Sequence, residues 1–238
     1  MGTYLWGPEN SLIVPTPKIA FLMHDDDSGR CQMHQVGIPE LSLINFAKKF
    51  EDTSKIFLDC GAHMGVYSLL LADHFYEVHA FEAQRRTYHQ LCGNIFVQEK
   101  TNITPHHMGL TNSAITPGAK AKLTIVSEDG GGSTLEPVEN QTIISSEEVP
   151  LGYIDFFEFP KNKIGLIKID VEGHELQVIS GALKTLQESG YPPIIFESNA
   201  GRENYSKRAE LFTFIKNLGY TIIGLQPYEN MFLAEYVN

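Results

Sequence analysis

The spacing of apolar and polar residues changes character along this chain. Within residues 11–36, two short apolar runs, "LIVPTPKIAFLM" and "RCQMHQV", flank the polar stretch "HDDDSG". Asp and Gly suit a tight reversal, so the segment reads as a hairpin. "PELSLINFAKKF" then places Leu41, Ile44 and Phe46 on one helical face, with Pro39 ahead of it as a start signal. From Lys55 onward, strand-like runs alternate with helical ones, which predicts βαβ units, a mostly parallel sheet and helices on both of its faces. The strands are "KIFLDC", "EVHAFEA", "NITPHHMGL", "IGLIKID" and "PPIIFES"; helices are predicted over "VYSLLLADHF", residues 85–98 and residues 174–188. A last helix near residues 209–217 leads into "GYTIIGL" and "MFLAEYV". Only "QPYEN" separates these two runs. They must therefore pair antiparallel, because a parallel pair needs a long crossover.

The expected fold is α/β, with seven strands, mostly parallel, closing in an antiparallel hairpin. Residues 1–50 are expected to form a hairpin-and-helix cover, and residues 51–238 the main domain. Residues 111–150 read as irregular apart from "AKLTIVS", and "EDGGGST" as a mobile loop too rich in glycine for regular structure. A loop of that composition, centred on Gly130 to Gly132, is expected to serve as a lid.

Composition narrows the class. A chain of 238 residues, 42% hydrophobic, can bury the core of one generous α/β domain. The net charge of −11 opposes tracking along a phosphate backbone, so no nucleic-acid partner is expected. No apolar run reaches the length of a membrane span, and the amino end lacks the basic-then-apolar layout of a secretion signal. Cys31, Cys60 and Cys92 have neither metal-site spacing nor an even count, which fits reduced thiols and a cytoplasmic location. The acidic turn at residues 24–29 lacks the glycine placement and closing Glu of a calcium loop.

Two stretches carry chemistry. "FLDCGAHMG" puts Asp59 at a strand end and Gly61 and Gly65 in the turn that opens a helix, with His63 between them. Such a turn lets a ligand approach the backbone closely. The G-x-G-x-x-G spacing of dinucleotide enzymes is absent, which weighs against an NAD-dependent enzyme. An acidic residue followed by G-x-x-x-G suits a ligand with a zwitterionic amino-acid end, and S-adenosylmethionine has one. Glu82, closing the next strand, occupies the position of a carboxylate that accepts ribose hydroxyls. The simpler reading is a tight turn with Asp59 as a helix cap.

The second stretch is "LIKIDVEGHE", a buried strand that ends abruptly in charge. Asp170 ends that strand at the ligand edge of the sheet, His174 follows in the first helical turn, and Glu197 ends the neighbouring strand. Two such strand tips can aim carboxylates into one cleft. The pair could bind an acceptor, tune a base by like-charge repulsion, or hold a divalent ion. Proton handling fits best, because an attacking hydroxyl must lose its proton, and no metal ligands are assigned. His174 could equally support a carboxylate by hydrogen bonding, and Glu172 could pair with Lys168.

"FLDCGAHMGVYSLLLA", "VHAFEA", "LCGNI", "LIKIDVEGHELQVISGA" and "IIFES" together resemble the FkbM family of S-adenosylmethionine-dependent methyltransferases over residues 55–198. The resemblance implies a Rossmann-like methyltransferase fold, S-adenosylmethionine as cofactor, and O-methylation of a hydroxyl on a sugar or other small molecule. The chain departs from the family pattern at Ala83, where Pro is usual, and in the segment "SEDGGGSTLEPVENQTIISS". Asp59, Gly61, His63, Gly65 and Glu82 are the expected cofactor residues, and Asp170, His174 and Glu197 the expected catalytic ones. The alternative to an active enzyme is a cofactor-binding scaffold without activity.

Overall fold

A computed structural model describes residues 2–6, 19–23, 33, 37–116, 118–127, 131–136, 142–199 and 205–237. At the amino end, β1 (Gly2–Trp6) pairs antiparallel with β2 (Ile19–Met23). β2 falls within the first predicted run, but β1 is a partner the apolar pattern did not signal. The acidic turn and most of the second predicted run lie outside the described residues. α1 (Leu41–Ala47) buries Leu43, Ile44 and Ala47. The buried face is therefore rotated from the expected Leu41, Ile44 and Phe46: Leu41 is exposed and Phe46 only packs against the core's edge.

The main sheet is built from β3 (Asp52–Cys60), β4 (Phe75–Glu82), β5 (Ile103–His107), β9 (Ile164–Ile169), β10 (Ile194–Glu197), β11 (Tyr220–Gly224) and β12 (Met231–Tyr236). Their spatial order is β5, β4, β3, β9, β10, β12, β11. The first four pairings along this order are parallel, while β12 runs antiparallel to both β10 and β11. The sheet is thus mixed, with the expected hairpin at one edge. The chain order reverses between β3 and β9, and this is the switch point where open α/β sheets bind ligands.

Both faces of the sheet are covered, which explains why its central strands are largely apolar and do not alternate. On one face, Phe57 joins a cluster with Leu43 and Ile44 of α1 and with Leu69 and Leu91. On the other, Leu58 and Cys60 join Val178, Leu186 and Leu211. Successive residues of one strand thus serve opposite layers, as the pleat requires.

α2 (Val66–Leu71), α3 (Arg85–Val97) and α6 (Tyr205–Asn217) follow the predicted pattern. The helix expected over residues 174–188 is divided into α4 (Glu175–Ser180) and α5 (Leu183–Glu188). Two contacts distant in sequence accompany the break. A Cβ at Gly181 would lie 2.1 Å from the carbonyl oxygen of Thr111, and the N–H groups of Lys184 and Thr185 donate to the Asp155 carboxylate at 3.0 and 2.7 Å. Asp155 thereby caps a second helix start that no local residue signals.

Residues 111–150 are more regular than expected. β6 (Gly109–Leu110), β7 (Lys120–Ile125) and β8 (Ser145–Gly152) form a separate sheet with β8 in the centre. β8, "SSEEVPLG", buries only Val149 and Gly152, too sparse an alternation to stand out as a strand.

Candidate active site

The carboxyl ends of β3, β4 and β9 open into one cavity of about 320 Å³, whose wall includes Gly61, His63, Glu82, Lys168, Asp170 and His174. After Cys60 the chain must turn while passing against the end of β9. Gly61 makes this possible: its φ is +81°, and a Cβ there would lie 1.8 Å from the Asp170 carbonyl oxygen. The N–H groups of Gly61 and Ala62 donate to the Phe81 carbonyl at 3.0 and 2.9 Å, and the Asp170 N–H donates to the Cys60 carbonyl at 2.9 Å. Three strand ends are thus stitched together by backbone alone.

Glu82 is held from two sides. The His63 N–H donates to Oε2 at 2.8 Å and the Gln84 N–H to Oε1 at 2.9 Å. Each oxygen keeps a further lone pair for a ligand. Burial pushes the Glu82 carboxyl above its ordinary pKa, against the pull of His63 and the two N–H bonds.

Lys168 organises the floor. It is almost fully buried, and Nζ lies 3.1 Å from Asp170 Oδ2, 3.9 Å from Asp59 Oδ1 and 4.9 Å from the centre of the Tyr67 ring. It also donates to the Gly61 carbonyl at 3.2 Å. Burial alone would lower its pKa, but Asp170, Asp59 and Glu40 outweigh burial and raise it. Lys168 is therefore a fixed internal cation. Tyr67 donates its hydroxyl to Glu40 Oε2 at 2.7 Å, bringing a residue from the start of α1 into the cavity wall.

Asp59 is fully buried beneath this floor and does not line the cavity. Its Oδ2 accepts the Ser68 hydroxyl at 2.6 Å, and Oδ1 has no hydrogen-bond partner among the described residues. Burial raises its pKa despite Lys168 and Ser68. Gly65, with φ +94°, turns the chain into α2 and also lies outside the lining. Of the five expected cofactor residues, the cavity wall holds Gly61, His63 and Glu82.

At the end of β9, Asp170, Glu172 and Glu197 bring carboxylate oxygens within 4.8 Å of one another. Burial, followed by repulsion from Asp170, Glu172 and Glu175, pushes Glu197 up to about 9. At neutral pH it is a carboxylic acid, hydrogen-bonded to Asp170. Asp170 lines the cavity, whereas Glu197 stands behind it.

His174 faces the cavity, but both ring nitrogens are engaged. Nδ1 lies 2.8 Å from Glu136 Oε1 and Nε2 3.0 Å from Thr111 Oγ1. Burial lowers its pKa against the opposing effect of Glu136, so the neutral ring donates from Nδ1 and accepts at Nε2. The ring bolts three segments together. Glu175, absent from the expected site, holds the loop from within: its Oε1 accepts the N–H groups of Val171 and Gly173 at 3.3 and 3.1 Å. The charge at the end of "LIKIDVEGHE" thus divides between a cavity carboxylate, Asp170, and a buried loop clasp, Glu175.

The glycine-rich segment contributes Gly131, Gly132, Ser133 and Leu135 to the wall. Thr134 pins it, pairing with Thr124 and donating to the Glu172 carbonyl at 2.8 Å. Nothing in the sequence pattern marked Glu40 or Tyr67 as cavity residues. Among the described residues, no helix is long and apolar enough to cross a membrane.

Comparison with known proteins agrees with this geometry. The chain is 26% identical over 168 residues to the hexuronic acid methyltransferase AglP of Haloferax volcanii, covering 68% of this chain and 63% of that protein. It spans less than two thirds of that relative's length. A methyltransferase FkbM structure from Methylobacillus flagellatus superposes with a TM-score of 0.54 at 19% identity, over 77% of this chain and 44% of that one. A precorrin-6y C5,15-methyltransferase from Geobacter metallireducens gives 0.53 at 11% identity, over 91% and 94%. These two superpositions establish the Rossmann-like methyltransferase fold. The methyltransferase FkbM domain matches residues 59–222, from the end of β3 into β11, and the chain belongs to the FkbM methyltransferase family.

Proposed function

We propose that this protein transfers a methyl group from S-adenosylmethionine to a hydroxyl oxygen of a sugar or related small molecule. The observation that carries the reading is the single cavity at the switch point, with Glu82 on the β4 side and Asp170 on the β9 side. The donor set fits the cofactor. Glu82 has lone pairs available for ribose hydroxyls, and the Gly61 turn admits close approach of a ligand to the backbone. S-adenosylmethionine, when bound, supplies a methyl group on a sulfonium.

The chain's own residues do the rest. Asp170 accepts the proton of the attacking hydroxyl, whose own pKa is too high for ionisation in neutral water. Lys168 and the protonated Glu197 fix the Asp170 carboxylate from behind. His174 positions the loop and leaves proton transfer to Asp170, since its nitrogens are already committed. Gly131, Gly132, Ser133 and Leu135 form part of the cavity wall, and an acceptor bound against them would be shielded from water. Holding acceptor and donor in line supplies most of the rate, with the base as a smaller contribution.

The relative named for a hexuronic acid supports a sugar acceptor. The test is methyl transfer from isotopically labelled S-adenosylmethionine to a panel of neutral glycosides, uronic acid glycosides and non-sugar alcohols, with the methylated atom located by mass spectrometry. Label on a hydroxyl oxygen of a sugar supports the reading. Label confined to nitrogen or carbon overturns it.

A further inference from the structure

α3 carries two amide side chains that face the amino-terminal cover. Asn94 is fully buried. Its Oδ1 accepts the N–H of Leu22 in β2 at 2.5 Å, and its Nδ2 donates to the Met64 carbonyl at 2.9 Å. Gln90 runs alongside, donating from Nε2 to the Leu22 carbonyl at 2.9 Å and lying 3.8 Å from Met64 Sδ. Gly93 allows the strand to approach this closely, since a Cβ there would sit 2.7 Å from Leu22 Cδ1. Phe21 and Met23 are buried in the same cluster as Met64 and Tyr67. β2 lies outside the family match, whereas Met64 belongs to the turn that forms the cavity wall.

A buried amide satisfied at both ends links the groups it joins. If β2 leaves, Asn94 Oδ1 loses the donor that holds it. The side chain is then held at one end only, and the Met64 carbonyl loses a fixed partner. We propose that Asn94, seconded by Gln90, is a positioning residue that couples the amino-terminal cover to the cofactor turn, so that tight cofactor binding requires the docked cover strand. The inference rests on the cofactor assignment above. Linkage makes the coupling reciprocal, so bound cofactor must also tighten the cover.

The test uses the full chain and S-adenosylhomocysteine. In the unmodified protein, amide exchange at residues 19–23 is expected to slow when S-adenosylhomocysteine is added. Leu22→Pro removes the N–H that Asn94 accepts and alters no cavity residue. It is expected to weaken S-adenosylhomocysteine binding about tenfold, the effect of one lost buried hydrogen bond. Asn94→Ala should give a similar loss, and the double variant should bind no worse than Asn94→Ala alone, since both act through one amide. A purely structural role would lower melting temperature in each variant but leave affinity within about twofold and the effects additive. Unchanged exchange at residues 19–23, or wild-type affinity in both single variants, overturns the proposal. If the unmodified protein binds no S-adenosylhomocysteine, the cofactor assignment itself fails and the coupling falls with it.

Discussion

Asp59 and Asp170 stand at neighbouring strand ends and share one lysine, yet their surroundings differ. Asp59 lies 3.9 Å from Lys168, sealed under the glycine turn, with one oxygen that accepts no hydrogen bond among the described residues; Asp170 lies 3.1 Å from the same ammonium and lines the cavity. Gly61, which follows β3, abuts the carbonyl of Asp170 and lines the cavity, whereas Asp59, two residues earlier, is fully buried. One acid thus accepts a hydrogen bond from Ser68 of α2 in the interior, and the other faces the cavity. Residue type is alike, but Asp59 lies inside β3 in register with Lys168, whereas Asp170 follows the end of β9.

The most drastic way to break this arrangement is Gly61→Ala. The new Cβ would meet backbone, not a side chain that can swing away, and the φ of +81° disfavours any L-residue. We expect a loss on the order of 3 kcal/mol or more in unfolding free energy, with cofactor binding abolished. Denaturant melts and calorimetry measure both.

The two aspartates separate next. Asp170→Asn should lower methyl transfer by about 10²- to 10⁴-fold while keeping S-adenosylhomocysteine affinity near wild type. Asp59→Asn should change turnover by no more than about threefold and stability by ~1 kcal/mol, because a neutral isostere suits a fully buried site. Equal losses of turnover in both variants would erase the distinction between them. Glu82→Ala is expected to weaken cofactor binding by about 1.5–3 kcal/mol, the range for hydrogen bonds to a charged group. Wild-type affinity in a folded variant would remove Glu82 from the site.

The smallest effect is pH-dependent. Glu197 has a folded pKa of about 9 against an ordinary value of 4.5. A carboxyl raised on folding contributes stability that is fully present below its unfolded pKa and lost as pH rises through the folded one. Wild-type stability should therefore fall relative to Glu197→Gln between about pH 5 and pH 9, by on the order of 1–3 kcal/mol. Parallel stability profiles for the two proteins would show that Glu197 is not held protonated.

Much of the fold was legible because buried parallel strands and short turns leave strong marks. "KIFLDC" and "IGLIKID" are largely apolar runs, and "QPYEN" is too short for anything but an antiparallel hairpin. Where long-range contacts decide, the pattern fell silent. The break between α4 and α5 depends on Asp155 and Thr111, and β8 is a mostly polar strand whose partners are distant in sequence. The site divides similarly. That Gly61, Glu82 and Asp170 would meet at one cavity was legible because strand ends and glycine turns mark the ligand edge of a sheet. The depth of Asp59, the two bonds of His174 and the arrival of Glu40 through Tyr67 depend on tertiary packing, which no local spacing encodes.

The cavity's cofactor can be tested without knowing the acceptor, by calorimetric titration of the unmodified protein with S-adenosylhomocysteine and, separately, with NAD. Saturable binding of S-adenosylhomocysteine at one site per chain, weakened by Glu82→Ala, with no heat from NAD, is the expected result. Saturable binding of NAD with none of S-adenosylhomocysteine would contradict the assignment of this cavity to S-adenosylmethionine.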